Sequence, residues 1–152
     1  MNLIRIKNVN MRDLNKIFFL EKEVFKQNAF PKELIKRLIH RGTLFLKLEF
    51  RNFRKRIIGF IIIIKDDEDR FNLINFLIDP EFQGKGYGSY LLGETIMRIK
   101  NSSNIKKIVL NVQVNNLIAI KLYQKFNFQL SPYKINNYYP TGEDAYSMEL
   151  NL

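Results

Sequence analysis

A glycine-rich turn between an apolar strand pattern and an amphipathic helix pattern is the segment best suited to chemistry, and it reads LIDPEFQGKGYGSYLL from Leu77 to Leu92. Three glycines occupy alternate positions in it: Gly84, Gly86 and Gly88. Glycine lets a backbone turn tightly and approach a ligand, so several N–H groups can point at an anion at the positive end of the helix. Gln83 and Lys85 add side-chain donors. We therefore predict a phosphate-binding turn.

Two familiar phosphate-binding loops do not fit this turn. The dinucleotide fingerprint G-x-G-x-x-G requires a third glycine where Ser89 stands, and the nucleoside-triphosphate loop requires Ser or Thr where Gly86 follows Lys85. The remaining pattern, Gln83-x-x-Gly86-x-Gly88, resembles the pyrophosphate loop of the GNAT superfamily of acyl-CoA-dependent N-acyltransferases. The resemblance implies that acetyl-CoA (coenzyme A) is the cofactor. Its diphosphate would be bound at Gln83, Gly84, Lys85, Gly86, Tyr87, Gly88 and Ser89, and its thioester carbonyl would be polarised by N–H groups of Phe76, Leu77 and Ile78.

A second segment resembles the other GNAT signature, L-x-V followed by N, A, Y and a closing Gly-Phe. The matching residues are Leu110, Val112, Asn116, Ala119, Leu122, Tyr123, Lys125 and Phe128. Asn127 stands in place of the glycine, where we expect a left-handed residue to end the helix. The resemblance implies that Asn116 contacts the pantetheine arm and that Tyr123 lies near the thioester sulfur. A phenol of pKa near 10 can donate to a leaving thiolate. Tyr123 could otherwise be an ordinary tyrosine of an amphipathic helix.

The C-terminal segment from Tyr138 to Met148 resembles the YY-x-x-GEDAY-x-M ending of archaeal and eukaryotic protein N-terminal acetyltransferases, and more loosely that of bacterial ribosomal-protein alanine acetyltransferases. The resemblance implies that Tyr138 and Tyr139 line a groove for the incoming N-terminus. The alternative is an aromatic loop without this role. Glu143 and Asp144 could hold the loop in place.

The chain departs from the GNAT pattern at the general base. In GNAT relatives, one candidate base is the acid of a Leu-Pro-Glu-Asn pattern in the loop between the first two helices. The alignment here is the looser of the two, and it places Gln27 and Asn28 at these positions, next to the substrate. The other lies between the Leu and Val of the second signature, which is Asn111 here. Amide side chains cannot titrate, but they can orient water. Three alternatives stay open: a water chain held by Gln27 and Asn111, a substitute acid such as Glu33 or Glu143, or acyl-CoA binding with little turnover.

Composition narrows the class of protein. The chain has 152 residues, no cysteine and a net charge of +10. We expect a single domain over residues 1–152, no metal site, no acyl-enzyme through cysteine, and a soluble, cytoplasmic protein without a membrane segment. The positive charge attracts anions in general, so we expect no specific nucleic-acid partner, while ribosome association and the oligomeric state stay open. His40 is expected on the surface, and the basic run 51–56 in a hairpin turn.

Periodicity predicts the elements that position these residues. Strands are expected over 3–7, 43–50, 57–64, 71–78, 108–114, 128–135 and 145–150. Helices are expected up to about Phe25 after a cap at Asn10 and Asp13, from Pro31 to His40, from about Gly88 to Lys100, and from a cap at Asn115 or Asn116 to Phe126. We predict an α+β fold: a mostly antiparallel sheet of about seven strands with helices on both faces, as in GNAT enzymes.

The function predicted from the resemblance is acetylation of the α-amine of protein N-termini by direct transfer from acetyl-CoA. The alternatives are acetylation of a small amine or a lysine side chain, and a catalytically weak, ribosome-associated module that binds acyl-CoA. The accepted N-terminal residues, the length of the acyl group and the need for a partner subunit stay open.

Overall fold

The computed structural model describes residues 3–41 and 43–152. The strands are β1 (Ile4–Asn8), β2 (Leu44–Arg51), β3 (Lys55–Asp67), β4 (Arg70–Ile78), β5 (Lys107–Gln113), β6 (Gln129–Ile135) and β7 (Ala145–Asn151). The helices are α1 (Leu14–Phe25), α2 (Lys32–His40), α3 (Tyr87–Ser102) and α4 (Leu117–Lys125). Short 3₁₀ turns cover Met11–Asp13, Lys26–Asn28 and Pro80–Phe82.

The described strands form one sheet in the order β1-β2-β3-β4-β5-β7-β6. Strands β4 and β5 are parallel, with Arg70 opposite Lys107 and Leu73 opposite Leu110. The pairs β1–β2, β2–β3, β5–β7 and β6–β7 are antiparallel. The predicted fold class, a mostly antiparallel sheet of about seven strands in an α+β chain, is therefore confirmed.

Contacts divide the chain into two compact units. The first runs to Ile63 and includes Asn75–Leu92, and the second comprises Ile64–Ile74 and Gly93–Leu152. Fully buried side chains of the first unit include Ile17, Ile35, Leu46, Leu48, Phe60, Leu91 and Leu92. Those of the second include Ile99, Ile108, Leu110, Phe128 and Met148. Burying a side chain of this size stabilises a fold by about 1.5–3 kcal/mol, so these clusters hold each unit together.

The ends of the helices follow local chemistry that the sequence predicts. Asn10 Oδ1 accepts from the Arg12 N–H (2.9 Å) and Asp13 Oδ2 accepts from the Asn10 N–H (3.0 Å). This capping box begins the 3₁₀ turn ahead of α1 rather than α1 itself. Asn116, not Asn115, caps α4. After α4, Asn127 has the predicted left-handed conformation with φ 69°.

Other boundaries differ from the prediction by a few residues. Helix α3 begins at Tyr87, one residue earlier than expected, and α2 begins at Lys32, one residue later, with Pro31 just before it. Strand β3 extends beyond its apolar run at both ends, to Lys55 and Asp67. At its first end, backbone pairing with β2 continues to Arg51 opposite Lys55 whatever the polarity of the side chains. The basic run 51–56 forms an exposed hairpin, and His40 is exposed, as predicted. Among helices in the described ranges, none has the length and apolarity needed to cross a membrane.

Candidate active site

The predicted phosphate turn, residues 83–89, follows β4 and leads into α3. Gly84 and Gly86 have φ values of +75° and +86°, a conformation that side chains with a Cβ rarely adopt. A Cβ at either position would meet no described atom within 4 Å apart from its chain neighbours. The turn therefore needs glycine for its backbone conformation, and the space beside it is open. Gly88 lies in the first turn of α3, so it does not help to form the turn as predicted.

The start of α3 gives this turn its donors. Tyr90 N–H donates to the Gly86 carbonyl at 3.0 Å, so the helical hydrogen-bond pattern begins at Gly86. The amides of residues 87–89 consequently lie at the positive end of the helix dipole. Lys85 Nζ lies 5.5 Å from the centre of the Phe82 ring, within the same turn region. Backbone donors and a cation in one exposed segment suit a phosphate group.

The side chain of Gln83 contacts the protein itself. Its Nε2 donates to the Ile78 carbonyl at 2.9 Å, which connects the phosphate turn to the end of β4. Asp79, which follows β4, connects this strand end to β3, since its N–H donates to the Ile58 carbonyl (2.7 Å) and its carboxylate accepts from Arg56 Nη2 (2.9 Å). The structure thus gives Gln83 a positioning contact, and its predicted role as a donor to phosphate stays a prediction.

Gly59 of β3 determines how closely the strand end that includes Phe76, Leu77 and Ile78 can pack. A Cβ on Gly59 would lie 2.8 Å from the Leu77 carbonyl oxygen and 2.6 Å from Ile78 Cδ1. Leu77 and Ile78 are buried, and Phe76 is half-buried. The sequence analysis did not identify Gly59, although a single glycine inside an apolar strand is a known sign of close backbone approach.

A buried carboxylate on α1 was also missed. Glu21 is fully buried, and its Oε1 accepts from the Phe30 N–H at 2.9 Å. Asn75 Nδ2 donates to Glu21 Oε1 (2.9 Å) and Oε2 (2.8 Å). Burial raises the pKa of Glu21 to about 7, against the opposing effect of its hydrogen bonds with Phe30 and Asn75. An acid inside a helix pattern looks like surface from the sequence, so only the structure identifies this group.

Tyr123 is buried in the second unit, with its ring edge-on to Phe128 at 5.6 Å. Burial, and to a smaller extent Tyr139, raises the pKa of Tyr123 well above its usual value. The phenol therefore stays protonated at neutral pH and can act as a donor rather than as a base.

The two predicted asparagines of this unit have different surroundings. Asn116 is exposed, and its Oδ1 accepts from the Ala119 N–H at 3.2 Å as the cap of α4. Asn111 is half-buried on β5, opposite Ser147 of β7. The Oδ1 atom of Asn116 is thus used in capping α4, and the predicted contact of Asn116 with pantetheine stays a prediction. The predicted role of Asn111 in orienting water also stays a prediction.

The tyrosine loop, residues 136–144, has a defined shape. The rings of Tyr138 and Tyr139 are edge-to-face at 4.9 Å, and both backbone N–H groups donate to the Glu143 carbonyl, at 3.0 and 3.2 Å. Asp144 Oδ1 accepts from the Asn137 N–H at 2.9 Å, and Thr141 donates to the Glu143 carboxylate. Glu143 and Asp144 thus hold the loop, as anticipated. Burial, with Tyr138 and Glu143, raises the pKa of Tyr139 to about 12.

The predicted site residues fall into the two units. The first contains Gln27 and Asn28 on the 3₁₀ turn after α1, together with residues 76–78 and the phosphate turn. Gln27 is exposed and Asn28 is half-buried. The second contains Asn111, Asn116, Tyr123, Tyr138 and Tyr139. Within the described parts of the chain, His, Asp and Glu side chains form no group of three that could hold a metal ion.

Comparison with known proteins gives a family for this arrangement. The sequence profile "Acetyltransferase (GNAT) family" matches residues 10–128. An N-alpha-acetyltransferase of Saccharolobus solfataricus is 36% identical over 77 residues, which cover 51% of this chain and 46% of the relative. A spermine/spermidine N(1)-acetyltransferase of Bacillus subtilis is 41% identical over 69 residues, 43% of this chain and 45% of the relative. The chain thus spans about half the length of these relatives.

Two further similarities cover nearly the whole chain. A [ribosomal protein bS18]-alanine N-acetyltransferase of Haemophilus ducreyi is 30% identical over 151 residues, 97% of this chain and 99% of the relative. The crystal structure of Ard1 from Thermoplasma volcanium superposes with a TM-score of 0.88 at 21% identity, covering 99% of this chain and 98% of that one. The structural similarity shows the fold and leaves the substrate open.

Proposed function

Because the chain belongs to the acetyltransferase (GNAT) family, we propose that it transfers an acetyl group from acetyl-CoA to the α-amine of protein N-termini. The tyrosine loop is the observation that carries this choice of substrate. Its paired rings are held by backbone and carboxylate contacts of Glu143 and Asp144, so a peptide would meet a preformed aromatic surface. The relatives include an N-alpha-acetyltransferase and a [ribosomal protein bS18]-alanine N-acetyltransferase, and both names support this choice.

Acetyl-CoA would supply an activated thioester, and the residues of the phosphate turn fit its diphosphate. Open space lies beside Gly84 and Gly86, and the amides of residues 87–89 point from the positive end of α3. N–H groups of residues 76–78 would polarise the thioester carbonyl, because a donor near a developing negative oxygen lowers the barrier to attack. The chain has no cysteine, so the amine would attack the thioester directly.

The transfer forms an amide bond, breaks the thioester C–S bond and releases one proton from the amine. Tyr123 is buried and its raised pKa keeps it protonated, so its hydroxyl can stabilise the leaving thiolate by donating a hydrogen bond to it. We propose that the amine proton passes through water to solvent, and that Gln27 and Asn111 orient this water. Both are amides and cannot accept the proton themselves.

A peptide panel tests the proposal. The purified protein is incubated with acetyl-CoA and peptides that differ in their first two residues, and the added mass is located by mass spectrometry. Matched peptides with a blocked N-terminus and a free internal lysine serve as the control. We expect acetylation on the free N-terminus. Measurable acetyl-CoA binding without modification of any peptide would contradict the proposal, and preferential transfer to the lysine would replace it.

A polyamine is the second candidate substrate, because a spermine/spermidine acetyltransferase is among the relatives. Spermidine added to the same assay distinguishes the two. A cation with several amines favours an acidic binding surface, whereas the described tyrosine loop offers aromatic rings. We also propose that residues 1–152 act as one domain, since the family profile spans both compact units.

A further inference from the structure

The loop between α1 and α2, residues 26–31, is connected to β4 by a buried side chain. Glu21 Oε1 accepts from the Phe30 N–H of this loop, and Asn75 Nδ2 donates to both Oε1 and Oε2 of Glu21, at distances of 2.8 to 2.9 Å. Asn75 directly precedes the strand end at residues 76–78. One carboxylate thus joins the loop that contains Gln27 and Asn28 to the strand end proposed to polarise the thioester.

Stability alone does not account for this arrangement. A carboxylate taken out of water carries a desolvation cost, and well-packed apolar residues usually serve a core at least as well. The neighbouring core positions Ile17 and Leu20 of the same helix are apolar. Asn75 is only 6% exposed, yet among the described residues none donates to its Oδ1. A fold that keeps two costly polar groups together gains orientation from them.

We propose that Glu21, with Asn75, is a positioning residue of the transfer reaction: it sets the α1–α2 loop relative to the end of β4 and thereby the approach of the amine. The inference rests on the proposed function and adds to it that Glu21 and Asn75 together determine how the substrate amine is positioned. Glu21 is fully enclosed by its partners, so it orients the loop and does not touch the amine. Its carboxylate needs to accept hydrogen bonds, and its charge is not required.

Two variants of Glu21 separate the acceptance of hydrogen bonds from the negative charge. In Glu21→Leu the side chain fills similar space but accepts nothing, which leaves the Phe30 N–H and the Asn75 amide without their acceptor. In Glu21→Gln the amide oxygen can accept from both, and the new NH₂ group can donate to Asn75 Oδ1. Glu23, exposed on the same helix, gives the matched control Glu23→Leu.

Steady-state kinetics with the best peptide or amine separate the outcomes. For Glu21→Leu we expect the KM for the amine to rise about tenfold, equivalent to about 1.4 kcal/mol, with the KM for acetyl-CoA within about twofold. Glu21→Gln should restore the amine KM to within about threefold of the unmodified protein, and Glu23→Leu should leave it unchanged. A folded Glu21→Leu protein with an unaltered amine KM, or with both KM values raised equally, overturns the proposal.

A second measurement does not depend on turnover or on the folding of Glu21→Leu. Hydrogen exchange of the Phe30 amide should be slow in the unmodified protein and equally slow in Glu21→Gln. Exchange that is fast in both proteins overturns the proposal by showing that the contact does not hold the loop. If the unmodified protein protects Phe30 but acetylates no amine, the proposed function fails while the contact stands.

Discussion

Replacing Glu21 with glutamine should change how the stability of the protein depends on pH. Glu21 is fully buried and its pKa in the folded protein is about 7, compared with 4.5 for a free side chain. Its partners, the Phe30 N–H and the Asn75 amide, are uncharged. Between these two pKa values the folded protein holds a proton that the unfolded chain has released.

The sign and size of the effect follow from this difference. Because the folded state binds more protons, the free energy of unfolding falls as the pH rises from about 4.5 through 7. The stabilisation is complete below the unfolded pKa and is lost above the folded one. A difference of roughly 2.5 pKa units corresponds to about 3 kcal/mol between pH 4 and pH 8. Glu21→Gln has no titrating group at this position and should lack this part of the slope.

Urea denaturation of both proteins at half-unit steps from pH 4 to pH 8.5 measures the effect. Other groups titrate equally in both, so the difference between the two curves isolates Glu21. We expect the variant to gain about 3 kcal/mol relative to the unmodified protein across this range. Glu23→Gln, a change of the same chemistry at an exposed position of α1, should run parallel to the unmodified protein. Parallel curves for Glu21→Gln would refute the argument from burial.

Three substitutions test the rest of the site. Gly86→Ala introduces a Cβ at φ +86°, which costs about 1–2 kcal/mol in the turn. Isothermal titration should then show acetyl-CoA binding that is weaker by at least about tenfold. The control Gly142→Ala introduces similar strain at φ +94° in the tyrosine loop and should leave that affinity unchanged. Gly59→Ala places a Cβ 2.8 Å from the Leu77 carbonyl oxygen, so the free energy of unfolding should fall by roughly 1–3 kcal/mol and acetyl-CoA binding should weaken. An unchanged midpoint of thermal unfolding would contradict the close packing. Tyr123→Phe keeps the ring buried against its neighbour and should lower kcat about 10²-fold with little change in either KM, whereas an unaltered kcat would remove the hydroxyl from the reaction.

The fold was predictable because its determinants are local and repeated. Alternating apolar residues predicted the strands, and residues such as Asn116 and Asn127 carried cap and end signals that the structure confirms. The cap signal at Asn10 is also present, although it begins the 3₁₀ turn ahead of α1. The start of β3 was less predictable, since its pairing with β2 extends through charged residues to Lys55. Boundaries of this kind depend on the partner strand, which the local pattern does not specify.

The sequence identified candidate site residues where glycines and tyrosines fall at fixed spacing, and it missed groups that are defined by contacts between distant positions. Glu21 pairs with Asn75, 54 positions away in the sequence, and neither residue stands out in its own segment. Gly59 is needed because a side chain there would collide with the carbonyl of Leu77 on another strand. Gln83 carried a motif signal, but its contact with the Ile78 carbonyl became visible only in three dimensions.

The amide side chains at the two positions expected for a base bear on the choice of substrate. An α-amine with a pKa of about 7.8 is neutral in roughly one molecule in seven at pH 7, whereas a lysine amine with a pKa of about 10.4 is neutral in roughly one in 2,500. In the proposed reaction Gln27 and Asn111 orient water and cannot accept a proton, which gives little help to the lysine amine. Glu21 does not compensate, because its carboxylate is enclosed by Phe30 and Asn75. The supply of neutral amine alone therefore favours N-termini over lysine side chains by two to three orders of magnitude, before any contact with the tyrosine loop is counted.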